Sequence, residues 1–121
     1  MSTAEQRVQD AFIRAIPPNW FYQRIESTTG RGIPDMFVCR EGVSFWLEFK
    51  AGEKRLRKEQ WAWHMLLDKA HGTTFVIIQR DGVWYLMQAA WKDEATGTHN
   101  KLRYEVAKGT LSDIITYLSE L

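Results

Sequence analysis

Two stretches near the middle of the chain, 35–40 and 43–49, are apolar at nearly every position and are separated only by Glu41 and Gly42. A connection of two residues predicts a β-hairpin with a tight turn. Strands that face water on one side usually alternate apolar and polar residues, so these strands predict a sheet that is covered on both faces. The hairpin therefore excludes an all-helical chain.

The other elements are predicted from apolar periodicity and from turn residues. A first helix ends at Pro17 and Pro18, and Asp81 and Gly82 mark a second tight turn. The segment 91–108 shows no usable periodicity. In chain order the predicted elements are a helix over 3–16, strands over 20–25, 35–40 and 43–49, a helix over 57–70, strands over 74–80 and 83–88, and a short helix over 111–121.

The second helix stands between strands that can lie parallel, as in a right-handed crossover packed on a sheet. We therefore expect an α/β sandwich in which helices cover both faces of a central mixed sheet, with the element order α-β-β-β-α-β-β. No Pro/Gly/Ser-rich stretch divides the 121 residues. A single domain over 1–121 is expected.

Composition restricts the class of protein. Hydrophobic residues make up 45% of the chain and charged residues 26%, which is typical of a soluble globular protein. Apolar runs are short and the first residues lack the features of a signal peptide, so neither membrane insertion nor secretion is expected. The single Cys39 excludes an internal disulfide and a cysteine-based zinc site. The expected location is the cytoplasm.

The positive charge of the chain is local. The formal net charge is only +1, so the whole protein would not be drawn strongly to a polyanion. Between Glu48 and Lys58, however, five positive side chains stand against two negative ones. A nucleic-acid site would have to lie near this stretch.

Three charged residues interrupt the apolar strands at positions that bring them together. If Arg40 pairs with Val43 across the turn, Asp35 lies opposite Glu48, with Cβ atoms about 4.5 to 5.5 Å apart. Lys50 joins the same face because strand side chains repeat every two residues. Two adjacent carboxylates are tolerated when one is protonated, when a cation pairs with them or when they bind a metal.

This combination suits phosphodiester hydrolysis. Carboxylate oxygens bind Mg²⁺ or Mn²⁺, which polarises a phosphate and activates water. Lys50 is placed to position the attacking water or to stabilise negative charge in the transition state. The structural alternative is that Asp35 begins a turn while Glu48 and Lys50 are solvated charges on an edge strand.

These residues resemble the motif of the PD-(D/E)XK nuclease superfamily, which reads here as Pro34-Asp35, twelve residues, then Glu48-Phe49-Lys50. The similarity runs over about 31–80 and is closest to the virus-type replication-repair (VRR-NUC) and Holliday-junction-resolvase-like branch. Gly32-Ile33-Pro34-Asp35 looks like the Gly-x-Pro-Asp entry of VRR-NUC nucleases. Their helix after the Glu-x-Lys motif is similar to this chain at Leu56, Glu59, Gln60, Ala62, Trp63, Leu67, Ala70 and Gly72.

The resemblance implies a restriction-endonuclease-like three-layer fold and assigns roles by position. Asp35 and Glu48 would hold Mg²⁺, for which Mn²⁺ could substitute, and the carbonyl of Phe49 would complete the site. Lys50 would be the catalytic lysine, with Gln60 beside it. Relatives begin this helix with Ser-Pro where this chain has Arg57-Lys58, so a hydroxyl cap is absent.

Two further assignments remain open. Relatives often carry an acidic residue on the first helix, and Glu5 is the candidate for a catalytic and metal-binding role. Alternatively, Glu5 completes a capping box with Ser2. The positively charged side chains near the site either form a solvated face or contact DNA phosphates. The DNA-binding candidates are Arg31, Lys54, Arg55, Arg57 and Lys58.

Other residues are given structural roles. Trp63, Leu66, Leu67 and Ala70 share one helical face, which we expect to pack on the sheet. Trp61 and Met65 point elsewhere, so they form a dimer surface or a base-stacking contact, or are covered by 91–108. The histidines His64, His71 and His99 lack the spacing of metal ligands and are given no catalytic role.

The expected function is that of a Mg²⁺-dependent DNA endonuclease that recognises branched, flap or junction DNA, as the resemblance implies for recombination, repair or phage DNA processing. A homodimer could cut two strands symmetrically. Two alternatives remain: a non-catalytic DNA-binding or assembly module that keeps the fold, and a sequence-specific restriction-type endonuclease. Intact Asp, Glu and Lys argue against the former, and the short chain leaves little room for the base-reading elements of the latter.

Overall fold

The computed structural model describes residues 3–26, 32–52, 56–89 and 102–121. Its helices and strands follow the predicted order, with one strand added before the last helix. In chain order they are α1 (Ala4–Ala15), β1 (Phe21–Arg24), β2 (Met36–Arg40), β3 (Val43–Ala51), α2 (Lys58–Lys69), β4 (Thr74–Arg80), β5 (Val83–Ala89), β6 (Leu102–Gly109) and α3 (Leu111–Ser119).

The strands form one sheet in the order β1-β2-β3-β4-β5-β6. β3 and β4 are parallel and are connected through α2, which confirms the predicted crossover, and the other neighbours are antiparallel. Within the part of the chain that the structure describes, no helix combines the length and the apolarity needed to span a membrane.

The hairpin register is the predicted one. Arg40 pairs with Val43 and Met36 pairs with Leu47. Glu41 and Gly42 both have positive φ, at 46° and 81°. Such a turn matches the twist of the two strands, and it fixes which residues of β2 and β3 lie opposite each other.

Helices cover both faces of the sheet. One face carries Phe45, Leu47 and Phe49 of β3 and packs against α1 and α3, where Phe12 and Ile114 are fully buried. The opposite face packs against α2 over β4 and β5. The architecture is an α/β sandwich with the helix layers on opposite sides of a mixed sheet, as predicted.

The cover is incomplete on the α2 side. Every second residue of β2 is only half-buried, and all four residues of β1 are exposed. The prediction that the hairpin strands are covered on both faces is therefore wrong for β2. Phe37 and Cys39 gave β2 its continuous apolar pattern, but both are only half-buried.

β6 was not predicted from the sequence. This strand pairs with β5, and the register shifts twice, between Leu86 and Met87 and between Gln88 and Ala89. Such irregularities interrupt the two-residue alternation by which a strand is recognised in a sequence. The observed order is therefore α-β-β-β-α-β-β-β-α.

The predicted buried face of α2 is also wrong in part. The side chain of Leu66 is 69% exposed, whereas Met65 is buried and Trp61 packs against a small apolar cluster that includes Leu56. The polar residues Gln60 and His64 occupy the buried face instead. Gln60 is hydrogen-bonded to Glu48 and Lys50, and Nδ1 of His64 lies 2.8 Å from Oγ1 of Thr74. Because these partners lie on other elements, the apolar pattern alone gave the wrong helix rotation.

Candidate active site

The two acidic residues meet where β2 begins beside the middle of β3. Asp35 immediately precedes β2, and its Oδ2 accepts a hydrogen bond of 2.9 Å from the backbone N–H of Phe49. Glu48, the residue before Phe49, is 2% exposed. The predicted approach of Asp35 to Glu48 follows from the observed hairpin register and from the bond of Asp35 to the residue next to Glu48.

Gln60 links the strand residues to the helix. Its Nε2 donates to Oε2 of Glu48 at 3.2 Å, and its Oε1 accepts from Nζ of Lys50 at 3.1 Å. All three side chains are buried. Gln60 therefore lies beside the site as predicted, and it holds an acid and an amine at fixed positions on one face of β3.

The same amide also begins helix α2. Oε1 of Gln60 accepts from the backbone N–H of Arg57, the N-cap residue, at 2.9 Å. An arginine side chain has no hydrogen-bond acceptor, so it cannot provide the usual cap. Gln60 satisfies one of the free N–H groups at the helix start and thereby replaces part of the missing hydroxyl cap.

Burial makes the carboxyl group of Glu48 hard to ionise. Burial, followed by repulsion from the charge of Asp35, raises the pKa of Glu48 from 4.5 to about 9. Lys50 acts in the opposite direction, and Glu5 adds a smaller increase. A carboxyl group in this position is ionised at neutral pH when another positive charge offsets the repulsion.

The residues at this position fit a divalent cation. Oε1 of Glu48 is buried and receives no hydrogen bond from the described residues, so one hard oxygen ligand is free. The N–H and C=O of one strand residue point to the same side of the strand. Since the N–H of Phe49 bonds Asp35, its carbonyl is also directed toward Asp35. Asp35, Glu48 and the Phe49 carbonyl together are a suitable donor set for Mg²⁺ or Mn²⁺.

Glu5 does not cap its helix. The N-cap of α1 is Thr3, and its capping box is formed with Gln6, so the assignment of that role to Glu5 is wrong. Glu5 is exposed and lines an open pocket together with Asp35. Within the described ranges, however, no three His, Cys, Asp or Glu side chains are placed to hold a metal ion.

Gly32 allows the segment before Asp35 to pack closely against α2. It has a φ of 76°, and a Cβ atom added to it would lie 2.3 Å from the backbone C and O of Glu59 and 2.5 Å from the backbone N of Gln60. Only a residue without a side chain allows this approach. The segment that leads to Asp35 thus rests directly on the first turn of α2.

Two of the candidate DNA-binding cations are described by the structure. Arg57 and Lys58 are exposed at the start of α2, next to Gln60. The other three, Arg31, Lys54 and Arg55, lie outside the described residues.

His64 lies near the site but was not recognised from the sequence. It is 1% exposed, its Nδ1 is 2.8 Å from Oγ1 of Thr74, and burial together with the charge of Lys50 lowers its pKa to about 4. Its spacing of four residues from Gln60 was the available signal, because both then lie on one helical face. His71 is exposed and His99 lies outside the described residues.

Comparison with solved structures shows the fold. The chain is similar to Hjc, a Holliday junction resolvase of the hyperthermophilic archaeon Archaeoglobus fulgidus, with a TM-score of 0.51 and 12% sequence identity over 84% of this chain and 85% of that one. No protein family model matches the sequence, and no curated protein matches it. The comparison supports the restriction-endonuclease-like sandwich and does not support the narrower resemblance to VRR-NUC nucleases.

Proposed function

We propose that this protein is a divalent-metal-dependent endonuclease that hydrolyses phosphodiester bonds in DNA. The observation that carries the proposal is the hydrogen-bonded arrangement of Glu48, Gln60 and Lys50 beside Asp35. A fold shared with a Holliday junction resolvase adds support. So does the resemblance of Pro34-Asp35 and Glu48-Phe49-Lys50 to the PD-(D/E)XK motif.

In the proposed mechanism Asp35, Glu48 and the Phe49 carbonyl would hold a divalent cation. When bound, a divalent cation supplies Lewis-acid polarisation of the phosphate and of the attacking water. The charge of the cation also favours the ionised form of Glu48, which burial and Asp35 otherwise oppose. Metal binding would therefore offset the free energy lost by holding Asp35 and Glu48 side by side in the folded protein.

Lys50 acts on the reacting groups. Its ammonium group has three N–H donors, and one of them bonds Oε1 of Gln60. The other two can orient water or stabilise negative charge on a phosphate oxygen. Gln60 is a positioning residue, since it fixes both Lys50 and Glu48 through hydrogen bonds.

We further propose that the substrate is branched or junction-containing DNA and that the protein acts in replication, recombination or repair, including that of phage. The solved relative is a Holliday junction resolvase, and the exposed Arg57 and Lys58 are available to contact phosphates. A homodimer would present two sites to the two strands of a symmetric junction.

Cleavage assays test this function. Purified protein is incubated with flap, junction, single-stranded and linear duplex DNA in Mg²⁺, Mn²⁺ or EDTA, beside Lys50→Ala and the exposed control Lys69→Ala. Wild type and Lys69→Ala should cut branched DNA only with metal, and Lys50→Ala should not cut. If all three proteins leave every substrate equally intact, a non-catalytic DNA-binding module is the better hypothesis. Cleavage at one sequence in linear duplex would favour a restriction-type enzyme.

A further inference from the structure

A row of aromatic side chains begins next to the candidate active site on the α2 side of the sheet. It consists of Phe21 on β1, Phe37 on β2, Trp46 on β3 and Trp63 on α2, here called the aromatic stripe. Successive ring centroids are 6.4, 5.1 and 5.2 Å apart, and the ring planes are tilted by 63° to 66°. Edge-to-face contacts of this kind hold the rings in fixed orientations.

Strand pairing places the stripe on the same face as the catalytic candidates. Trp46 lies two residues before Glu48 on β3, and Phe37 pairs with Trp46 and lies two residues after Asp35. Residues two apart on a strand share a face at a spacing of about 7 Å. The stripe therefore starts one such step from the acidic pair and continues away from it.

The exposure of the stripe increases with distance from the site. Trp46 and Phe37 are half-buried, and Phe21 is 56% exposed. α2 lies over β4 and β5 and reaches the stripe at Trp46 through Trp63, whereas Phe21 at the other end is exposed. Phe21 is not isolated, since it contacts Phe37, and contiguous exposed apolar patches mark binding surfaces.

Charge and position indicate which partner fits this surface. Arg57 and Lys58 are exposed near the site at the start of α2 and complement a phosphate backbone, while the stripe offers flat apolar rings. A protein partner bound to the stripe would also cover the approach to Asp35 and Glu48, which lie two residues away along their strands. A nucleic-acid strand that runs through the site contacts both.

We propose that the aromatic stripe stacks against unpaired nucleobases of the DNA that lies in the active site, so that the protein prefers cleavage next to a single-stranded segment. The proposal rests on the proposed nuclease function and specifies its substrate. Every base has a π-face, so stacking requires unpaired nucleotides and does not read their sequence. A spacing of about 7 Å from Glu48 to the stripe suits the base next to the cleaved phosphate.

Neighbouring aromatics on β1 provide a matched pair of variants. Phe21 pairs with Cys39 and contacts Phe37, whereas Tyr22 pairs with Val38, whose side chain lies in the core on the opposite face. Both are exposed, at 56% and 39%. Phe21→Ala and Tyr22→Ala thus remove similar side chains from opposite faces of one strand.

The test measures the affinity of each variant, in EDTA so that no DNA is cut, for a fluorescent duplex with a single-stranded overhang and for the blunt duplex. Phe21→Ala should weaken overhang binding about tenfold, as expected for the loss of one stacked base, and leave blunt-duplex binding unchanged. Tyr22→Ala should change neither. Light-induced crosslinking of 5-iodouracil in the overhang should map to Phe21, Phe37 or Trp46.

Several outcomes would overturn the proposal. They include equal effects of the two variants, no overhang preference in the wild type, and crosslinks that map only elsewhere. If Phe21→Ala dissociates an oligomer in sedimentation without changing overhang affinity, the stripe is an interface between copies. Failure of the nuclease function is separate, since it is measured by metal-dependent cleavage and its loss in Lys50→Ala.

Discussion

Oε1 of Gln60 lies 3.1 Å from Nζ of Lys50, and both side chains are buried on the face where α2 meets the sheet. The amide also binds Glu48 and the backbone at the start of α2. The Gln60 side chain thus fixes the start of α2 and the orientations of Glu48 and Lys50. Replacing it therefore tests all three.

The Gln60→Leu variant should cleave about 10- to 100-fold more slowly than the wild type, as is typical when a partner that orients site residues is lost. Single-turnover rates with saturating metal measure the effect. The exposed neighbouring variant Glu59→Gln is the control and should retain the rate. A Gln60→Leu enzyme with normal turnover would show that Lys50 and Glu48 are oriented without the amide.

The Glu48→Gln variant should be inactive yet more stable than the wild type in EDTA at pH 8. The pKa of Glu48 is about 9 in the folded protein and 4.5 ordinarily, so the folded state retains a proton that the unfolded state has lost. The contribution of Glu48 to the free energy of unfolding is present below pH 4.5 and is lost as the pH rises through 9. Urea denaturation should show a gain of about 1 to 4 kcal/mol at pH 8 and little difference at pH 5.

Metal binding without DNA should separate the role of Glu5 from that of the acidic pair. Mn²⁺ should raise the melting temperature of the wild type, because a ligand that binds only the folded state stabilises it. Asp35→Asn and Glu48→Gln should abolish the shift, and Lys50→Ala should retain it. Because Glu5 does not form a three-residue metal group with the pair among the described residues, Glu5→Gln should reduce the shift only partly. A complete loss in Glu5→Gln would make it a direct ligand.

His64 should make stability fall at acid pH. Its pKa is about 4 in the folded protein and 6.5 ordinarily, so its contribution is present above pH 6.5 and is lost as the pH falls through 4. From pH 7 to 4.5 the loss is about 2 kcal/mol. Between pH 4.5 and 6.5 Glu48 has the opposite effect on stability, because its contribution increases as the pH falls.

The measurement of the His64 effect therefore uses the Glu48→Gln background, by urea denaturation at several pH values. His64→Gln should flatten the remaining acid slope. His71→Asn, at an exposed position, should leave the slope intact. An unchanged slope in His64→Gln would place the titrating group elsewhere.

The hairpin and the acidic pair could be predicted from the sequence because they follow from local rules. Glu41 and Gly42 fix the turn, the turn fixes the register, and the register brings Asp35 to Glu48. The face of α2 could not be predicted, because Gln60 and His64 are buried through contacts with residues on other elements. Polar residues look exposed in a periodic pattern until their partners are known.

The open part of the sheet was missed for a related reason. Phe37 and Trp46 have the composition of covered strands, yet how far α2 extends over them depends on helix placement, which no strand pattern encodes. β6 was missed because its pairing with β5 is irregular. Tertiary contacts, and not the local pattern, determined each of these features.

Gly32 provides a last prediction, in which backbone strain and close packing can be separated. Gly32 and Gly42 have nearly equal φ values of 76° and 81°, but a Cβ atom at Gly42 meets nothing within 4 Å, whereas one at Gly32 meets the backbone of Glu59 and Gln60. Gly42→Ala should therefore cost only the strain of a positive φ, about 1 to 2 kcal/mol.

Gly32→Ala carries the same strain and must also displace the first turn of α2, so it should cost about 3 kcal/mol or more. Moving that turn moves Gln60 away from Lys50 and Glu48, and the cleavage rate of the folded fraction should fall as in Gln60→Leu. Urea denaturation and single-turnover cleavage of the two alanine variants measure both effects. Equal stability losses and full activity in both would mean that the segment leading to Asp35 does not rest on α2 in solution.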